Sequence, residues 1–283
     1  MLTVNAIGIA SAVGAVGLGL AYLAAAGAPT PYLAINAGTL VVGLAACMAW
    51  KMVWKQWSPP VAGLSGLAAV VIGLALLATA LYGHSLDGTT RWVRVGLLTL
   101  QPGLILTPLL VVLFSEDRNR SATMGVVIAA AALALQPDRA AAGALTAGVA
   151  AQAITMPDRR VLMALFATSI ALAITLARPD TLPAQAFVEK VLFTAFETHW
   201  LAGLAVWIGV TCMLVPALAG RVQDSDNRAT YAVFGVVWLG LIAASVLGAY
   251  PTPLVGYGAS SILGYVLSLA ALTRRGRPIQ SRG

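Results

Sequence analysis

Apolar stretches long enough to cross a bilayer recur from one end of this 283-residue chain to the other, and that recurrence excludes most folds before any motif is read. A spanning helix needs about 20 mostly apolar residues, and backbone polar groups inside the hydrocarbon must be satisfied within the segment. The pattern therefore predicts a bundle of transmembrane α-helices. Composition agrees: 59% of residues are hydrophobic and 10% charged, whereas a soluble domain carries about 25% charged residues. Reading the apolar runs against polar or Pro/Gly breaks gives ten spans, at 4–26, 32–50, 60–82, 98–115, 122–136, 140–156, 160–177, 195–219, 229–249 and 254–273. The expectation is an all-α polytopic membrane protein, one transmembrane domain over 1–273 with no soluble domain, ending in a short basic tail over 274–283.

Ten spans and a cytoplasmic start place Lys51, Lys55, Arg118, Arg120, Arg159, Arg160, Arg221, Arg228, Arg274, Arg275, Arg277 and Arg282 inside, leaving Arg91, Arg94, Arg139, Arg178 and Lys190 outside. Twelve basic residues against five is the bias expected when basic loops stay in the cytoplasm, and it puts both termini there. A re-entrant dip at Gln136-Pro137-Asp138-Arg139 would move Arg159 and Arg160 outside and weaken that bias. The net charge of +7 is thus a topology signal, not a nucleic-acid signal. Cys47 and Cys212 fall in apolar runs without metal or redox spacing. The first 28 residues end in a signal-peptide-like Ala24-Ala25-Ala26-Gly27-Ala28 but have no basic residue ahead of the apolar run, so an uncleaved first span is expected. Trp50, Trp54 and Trp57 suit interfacial anchors. The basic tail suits an orientation signal better than lipid recognition.

Few residues in such a chain can do chemistry, so their clustering narrows the search. One polar interruption runs from Gly83 through His84, Asp87, Arg91 and Arg94 to Gln101-Pro102. Under the predicted topology the outer rim gathers these with Asp138, Arg139, Asp180, Glu189, Lys190, Glu197 and His199. A charge costs up to about 2.5–3.5 kcal/mol at mid-span and less near the interface, so acids gathered close to the spans on one side point to function. The longest outer loop, 177–195, ends in a segment that reads as an amphipathic helix. Phe187, Val188, Val191, Leu192, Ala195 and Phe196 share one face, and Glu189, Phe193 and Glu197 another. Two carboxylates on one stripe can serve as base and orienter or hold a divalent cation; the solvated face of a lid helix is the alternative. His199 beside Glu197 offers a base or ligand, but the H-E-x-x-H spacing is absent, as are a Walker loop, a dinucleotide fingerprint and a zinc-spaced Cys/His cluster. Arg91, Arg94, Arg139 and Lys190 can clamp a phosphate or pyrophosphate, because guanidinium groups offer bidentate forks to oxyanions. A lipid-linked phosphate is the natural anion at that depth.

Four separated segments resemble, in order, motifs of the SEDS family (shape, elongation, division and sporulation), the RodA and FtsW type of ten-span proteins. Gly83, Asp87, Gly88, Arg91 and Trp92, followed by Gln101-Pro102, match G-x-x-x-N-G-A-x-R-W and Q-P-S-E. Gln136-Pro137-Asp138 resembles Q-P-D-L-G-T. Glu189 and Glu197 keep the separation in D-F-I-F-A-x-x-x-E-E, with Gly203 at the next glycine. Pro253-Leu254-Val255-Gly256-Tyr257-Gly258-Ala259-Ser260-Ser261 resembles P-F-x-S-Y-G-G-S-S. The likeness covers residues 60–275 and departs at Gly103-Leu104 for Ser-Glu, Glu189 for Asp, Thr198 for the second Glu, and Gly256 and Ala259 in the last turn.

The resemblance implies a SEDS-like bundle in a bacterial inner (cytoplasmic) membrane. It also implies an inverting glycosyltransferase that polymerises a polyprenyl-pyrophosphate-linked sugar of the lipid II type on the outer face, paired with a single-span transpeptidase or a larger complex. It assigns the base to Glu189 and substrate contacts to Arg91, Arg94, Asp138, Arg139, Lys190, Glu197, Tyr257, Ser260 and Ser261. The missing acid at Leu104 leaves a second reading open, a non-catalytic SEDS-like subunit that binds lipid or serves assembly. A transporter built on the breaks at Pro137 and Pro251–Pro253 would call for repeat symmetry, which the sequence lacks.

Overall fold

The structure, a computed structural model, describes residues 3–57, 64–86, 88–96, 98–180 and 182–272, without the side chains of 50, 51 and 53–57. The interfacial roles read for Trp50, Trp54 and Trp57, the part of Asp87 and the 274–283 tail lie outside what is described. The elements in chain order are α1 (Val4–Ala25), α2 (Thr30–Trp57), α3 (Leu64–Tyr82), β1 (His84–Leu86), β2 (Thr89–Val95), β3 (Leu98–Leu100), α4 (Pro102–Glu116) and α5 (Arg120–Leu135). They continue with α6 (Arg139–Thr155), α7 (Arg159–Ala177), α8 (Val191–Thr198), α9 (Trp200–Cys212), α10 (Val215–Gln223), a 3-10 turn (Ser225–Asn227), α11 (Arg228–Leu247) and α12 (Ala259–Leu272).

The protein is an all-α polytopic membrane protein with one small sheet. Among the described residues six helical stretches are long and apolar enough to cross a membrane: Val4–Ala25, Thr30–Ala49, Leu64–Tyr82, Arg159–Ala177, Trp200–Gln223 and Ser225–Leu247. Shorter helices fill the middle. α4 has 15 residues, ten of them buried, and at 1.5 Å per residue it reaches roughly 22 Å, short of a bilayer core of about 30 Å. Non-helical backbone at that depth is tolerated where protein covers it or where it lines a cavity. The segment leading into α4 meets that condition, since Gln101 is buried and β3 precedes it.

Prolines set two breaks. Pro216 follows Val215 at the start of α10, and its ring and missing N–H end the preceding helix at Cys212, four residues back. The run expected as one span over 195–219 is therefore α9 and α10 end to end, preceded by a separate α8. Pro108 inside α4 frees the Leu104 carbonyl, and Gly264 of α12 packs directly on that oxygen, where no Cβ would fit. Side-chain caps start other helices: Asn119 Oδ1 accepts from Ala122 N at 2.8 Å, and Asp158 Oδ1 from Arg160 N at 2.7 Å.

Small residues bring α3 and α5 together more extensively than any other pair. A Cβ on Gly125 would fall 2.7 Å from Val70 N and closer still to the Ala69 carbonyl, and one on Gly73 would fall 2.6 Å from Gly125 O. Gly125→Leu is expected to destabilise the fold by at least the 1–3 kcal/mol of an overpacked core. Gly14→Ala, which faces open space, is expected to leave stability unchanged or slightly raised. Thermal unfolding of the two variants in one detergent checks both.

Candidate functional site

Four connections converge at one end of the bundle: the sheet over 84–100, the 136–139 turn, the 178–190 segment and the 248–258 loop. The first is not an irregular loop. Thr89–Val95 is rich in β-branched residues, and it pairs antiparallel with β1 through Leu86↔Thr89 and with β3 through Val95↔Leu98. Gly88, just ahead of β2, and Gly96, just after it, stand in the left-handed region at φ 78° and φ 60°, where a side chain is disfavoured.

Arg91 of β2 is the hub. Its side chain is buried, and Nη2 donates to Pro137 O at 2.6 Å and to Asp180 Oδ2 at 2.8 Å. Its guanidinium also lies 5.9 Å from the centre of the Tyr250 ring, and the Tyr250 hydroxyl donates to Asp180 Oδ2 at 2.7 Å. Asp138 is fully buried behind it; Oδ1 caps α6 through Ala141 N at 3.0 Å, and Oδ2 accepts from Gln101 Nε2 at 2.9 Å. Gly103 leaves room for that carboxylate, since a Cβ there would stand 2.8 Å from Asp138 Oδ2. Burial raises the Asp180 carboxyl, but the hydrogen bonds from Arg91 and Tyr250 and the charges of Arg91 and Arg139 outweigh it, so it lies below its ordinary value.

Glu189 stands beside this network. The Glu189 segment pairs with Pro251, and Gln185 N donates to Glu189 Oε2 at 3.0 Å. Burial pushes the Glu189 carboxyl above its ordinary value and Asp180 adds to this, against the Gln185 hydrogen bond and the charges of Arg91 and Lys190. Its neighbours Gln185, Val188 and Pro251 line a cavity of about 340 Å³, walled also by His84, Trp92, Arg94, Gln101, Leu104, Tyr257, Ser260 and Ser261. Among the described residues that lining holds a guanidinium and an imidazole but no carboxylate. Arg94 is exposed, and no described protein group accepts from it. Ser260 Oγ accepts from Gln101 N at 2.8 Å, and Ser261 Oγ accepts from Leu254 N at 3.3 Å, so both serines also tie loops to α12.

The expected site residues therefore divide. Arg94, Tyr257, Ser260 and Ser261 face the cavity, Glu189 adjoins its wall, and Arg91 and Asp138 are spent on internal partners. Arg139 lines a second cavity of about 390 Å³ with Asp180, Tyr250 and the small residues of α6 and α11. Its guanidinium donates to the carbonyls of Thr175, Leu176 and Arg178. Lys190 and Glu197 are exposed. The stripe of Glu189, Phe193 and Glu197 does not form: Lys190 at φ 57° interrupts the helix and α8 begins only at Val191, while Phe196 lays its ring on Gly203 and leaves its rest exposed. The divalent-cation alternative loses that footing, and no group of three His, Cys, Asp or Glu able to hold a metal occurs among the described residues. His199 caps α9, its Nδ1 accepting from Leu201 N at 3.1 Å. Tyr250 and Gln185 escaped the sequence reading; a proline-flanked tyrosine and a loop glutamine carry no spacing signal.

No family model and no curated protein matches the chain. Solved structures do. The rod shape determining protein RodA of Thermus thermophilus is 18% identical over 93% of each chain with a TM-score of 0.61, and an aspartate-to-alanine mutant of it is 16% identical with the same coverage and score. A chain from a peptidoglycan synthase complex, described as coordinating polymerization and crosslinking, is 18% identical over 93% of this chain and 94% of its own, with a TM-score of 0.63. Across nearly its whole length, this chain has the RodA fold.

Proposed function

We propose that the chain is a SEDS-type glycosyltransferase of a bacterial cytoplasmic membrane, polymerising a polyprenyl-pyrophosphate-linked sugar of the lipid II type on the extracytoplasmic face. The observation that carries the reading is the pairing of a half-buried carboxyl at Glu189, raised above its ordinary value by burial, with an adjoining cavity whose described lining is cationic and holds no carboxylate. An anionic pyrophosphate suits that cavity, with Arg94 as the available fork and Gln101, Ser260 and Ser261 as polar walls. The acceptor sugar hydroxyl attacks the anomeric carbon of the donor, the bond to the pyrophosphate oxygen breaks, and the hydroxyl proton passes to Glu189. Polyprenyl pyrophosphate leaves. Arg91 and Asp138 act as supports behind the cavity, Arg139 serves the second cavity, and Lys190 and Glu197 stand at the rim. The likeness to a chain of a peptidoglycan synthase complex supports a membrane partner, for which a single-span transpeptidase is the candidate.

One observation favours a non-catalytic subunit instead. Leu104, buried in the cavity wall, stands where the SEDS motif has an acid. Incubating the purified protein in liposomes with a lipid-linked disaccharide pyrophosphate separates the two readings. Glycan chains with released polyprenyl pyrophosphate are expected; unchanged substrate, together with a stably co-purifying partner, would establish the second.

A further inference from the structure

The Glu189 segment and the cavity loop are held in conformations that their own sequences disfavour. Phe187 at φ 65° and Lys190 at φ 57° bracket Glu189, and Leu254 at φ 62° sits in the facing loop. None is glycine, and bulky residues enter the left-handed region only when the surroundings over-determine them. The two loops brace one another: Tyr257 N donates to Phe187 O at 2.6 Å, Thr252 N to Val188 O at 2.9 Å, and Glu189 pairs with Pro251. What fixes the pair to the bundle is α2. Asn36 is fully buried, and its amide acts as a peptide group for the cavity loop, Nδ2 donating to Gly256 O at 3.0 Å and Oδ1 accepting from Gly258 N at 3.1 Å. One helical turn earlier Tyr32 stacks on Tyr257, centroids 3.7 Å apart and planes 6° apart, and meets Phe187 edge-on at 6.3 Å. One face of α2 thus grips both loops, on either side of Tyr257 and two residues before Glu189.

We infer that Asn36 and Tyr32 are positioning residues: they clamp the strained loop pair so that Glu189 is set against the cavity that Tyr257 lines. The catalytic half of this inference rests on Glu189 being the base; the clamp does not.

Hydrogen exchange of the full chain in lipid nanodiscs, read together with lipid-linked disaccharide turnover, tests both halves. Asn36→Leu is expected to speed exchange at least about tenfold across 187–189 and 252–258, with α3 and α5 unchanged. It is expected to lower kcat about a hundredfold, the scale of a 1 Å misplacement, with KM held within a few-fold. Tyr32→Leu is expected to follow it, while Tyr32→Phe, which keeps the ring, retains kcat. Unchanged exchange in the two loops would overturn the clamp, and loosened loops with full kcat would overturn the positioning role. If Asn36→Leu does not fold, the Tyr32→Leu and Tyr32→Phe pair makes the same comparison. If the wild type shows no turnover, the glycosyltransferase reading fails and exchange alone decides the clamp.

Discussion

Glu189→Gln is expected to lower turnover by about 10²–10⁴-fold, the range that a positioned general base supplies, while leaving the protein at least as stable at neutral pH as the wild type. The stability half follows from the sign of the shift. Burial first, then the Asp180 charge, raises the native carboxyl above its ordinary value. The native state therefore binds this proton more tightly than the unfolded chain, and ionising Glu189 removes stability as pH rises through the raised value. Glutamine removes that cost and still accepts from Gln185 N. Loss of activity with no loss of melting temperature would thus isolate the base. Because only the carboxylate can take a proton, wild-type turnover is expected to rise with pH on an acid limb lying above the ordinary glutamate range. Asp180→Asn, which removes a neighbouring negative charge, should move that limb to lower pH. A limb that stays in place in Asp180→Asn, or turnover that survives in Glu189→Gln, would remove Glu189 from the chemistry.

The fold class was legible because a bilayer imposes one requirement on every span, and a local apolar run answers it. Motif spacing likewise marked the rim segments that the structure brings together around Arg91. What stayed hidden depends on long-range partners. The Arg91–Asp180 pair joins residues 89 apart in sequence, and nothing local in Thr89–Val95 or in the 178–190 loop signals it. Asn36 lies in an apolar helix where a lone amide reads as a minor blemish; its worth comes from backbone 220 residues away. The Glu189 stripe failed for a local reason that sequence spacing does not report, since Lys190 adopts a left-handed conformation that no glycine or asparagine advertises. The sheet was different. The four β-branched residues of Thr89–Val95 and the Asp-Gly step ahead of them are strand and turn signals, and a short polar stretch between two spans masks them.

Arg91→Met is expected to cost about 3–5 kcal/mol, the scale of breaking a buried ion pair by removing one partner. The geometry supports the upper part of the scale, because the side chains of Arg91 and Asp180 are only 4% and 11% exposed and one guanidinium nitrogen serves both Asp180 and the Pro137 carbonyl. Removing it leaves the Asp180 carboxylate with Tyr250 as its remaining donor and only the nearby Arg139 charge to offset its burial. Two further results distinguish this from loss of side-chain volume. Arg91→Met with Asp180→Leu should regain much of the stability, because an apolar pair leaves no buried charge, and the double-mutant cycle should show strong coupling. Asp180 is held below its ordinary value, so its stabilising contribution is present above the unfolded value and is lost as pH falls through the native one. The melting temperatures of wild type and Arg91→Met should therefore converge in acid, below the ordinary aspartate range. A gap that persists there, or a double mutant no more stable than Arg91→Met, would make Arg91 a packing residue and the ion pair incidental to the loops it joins.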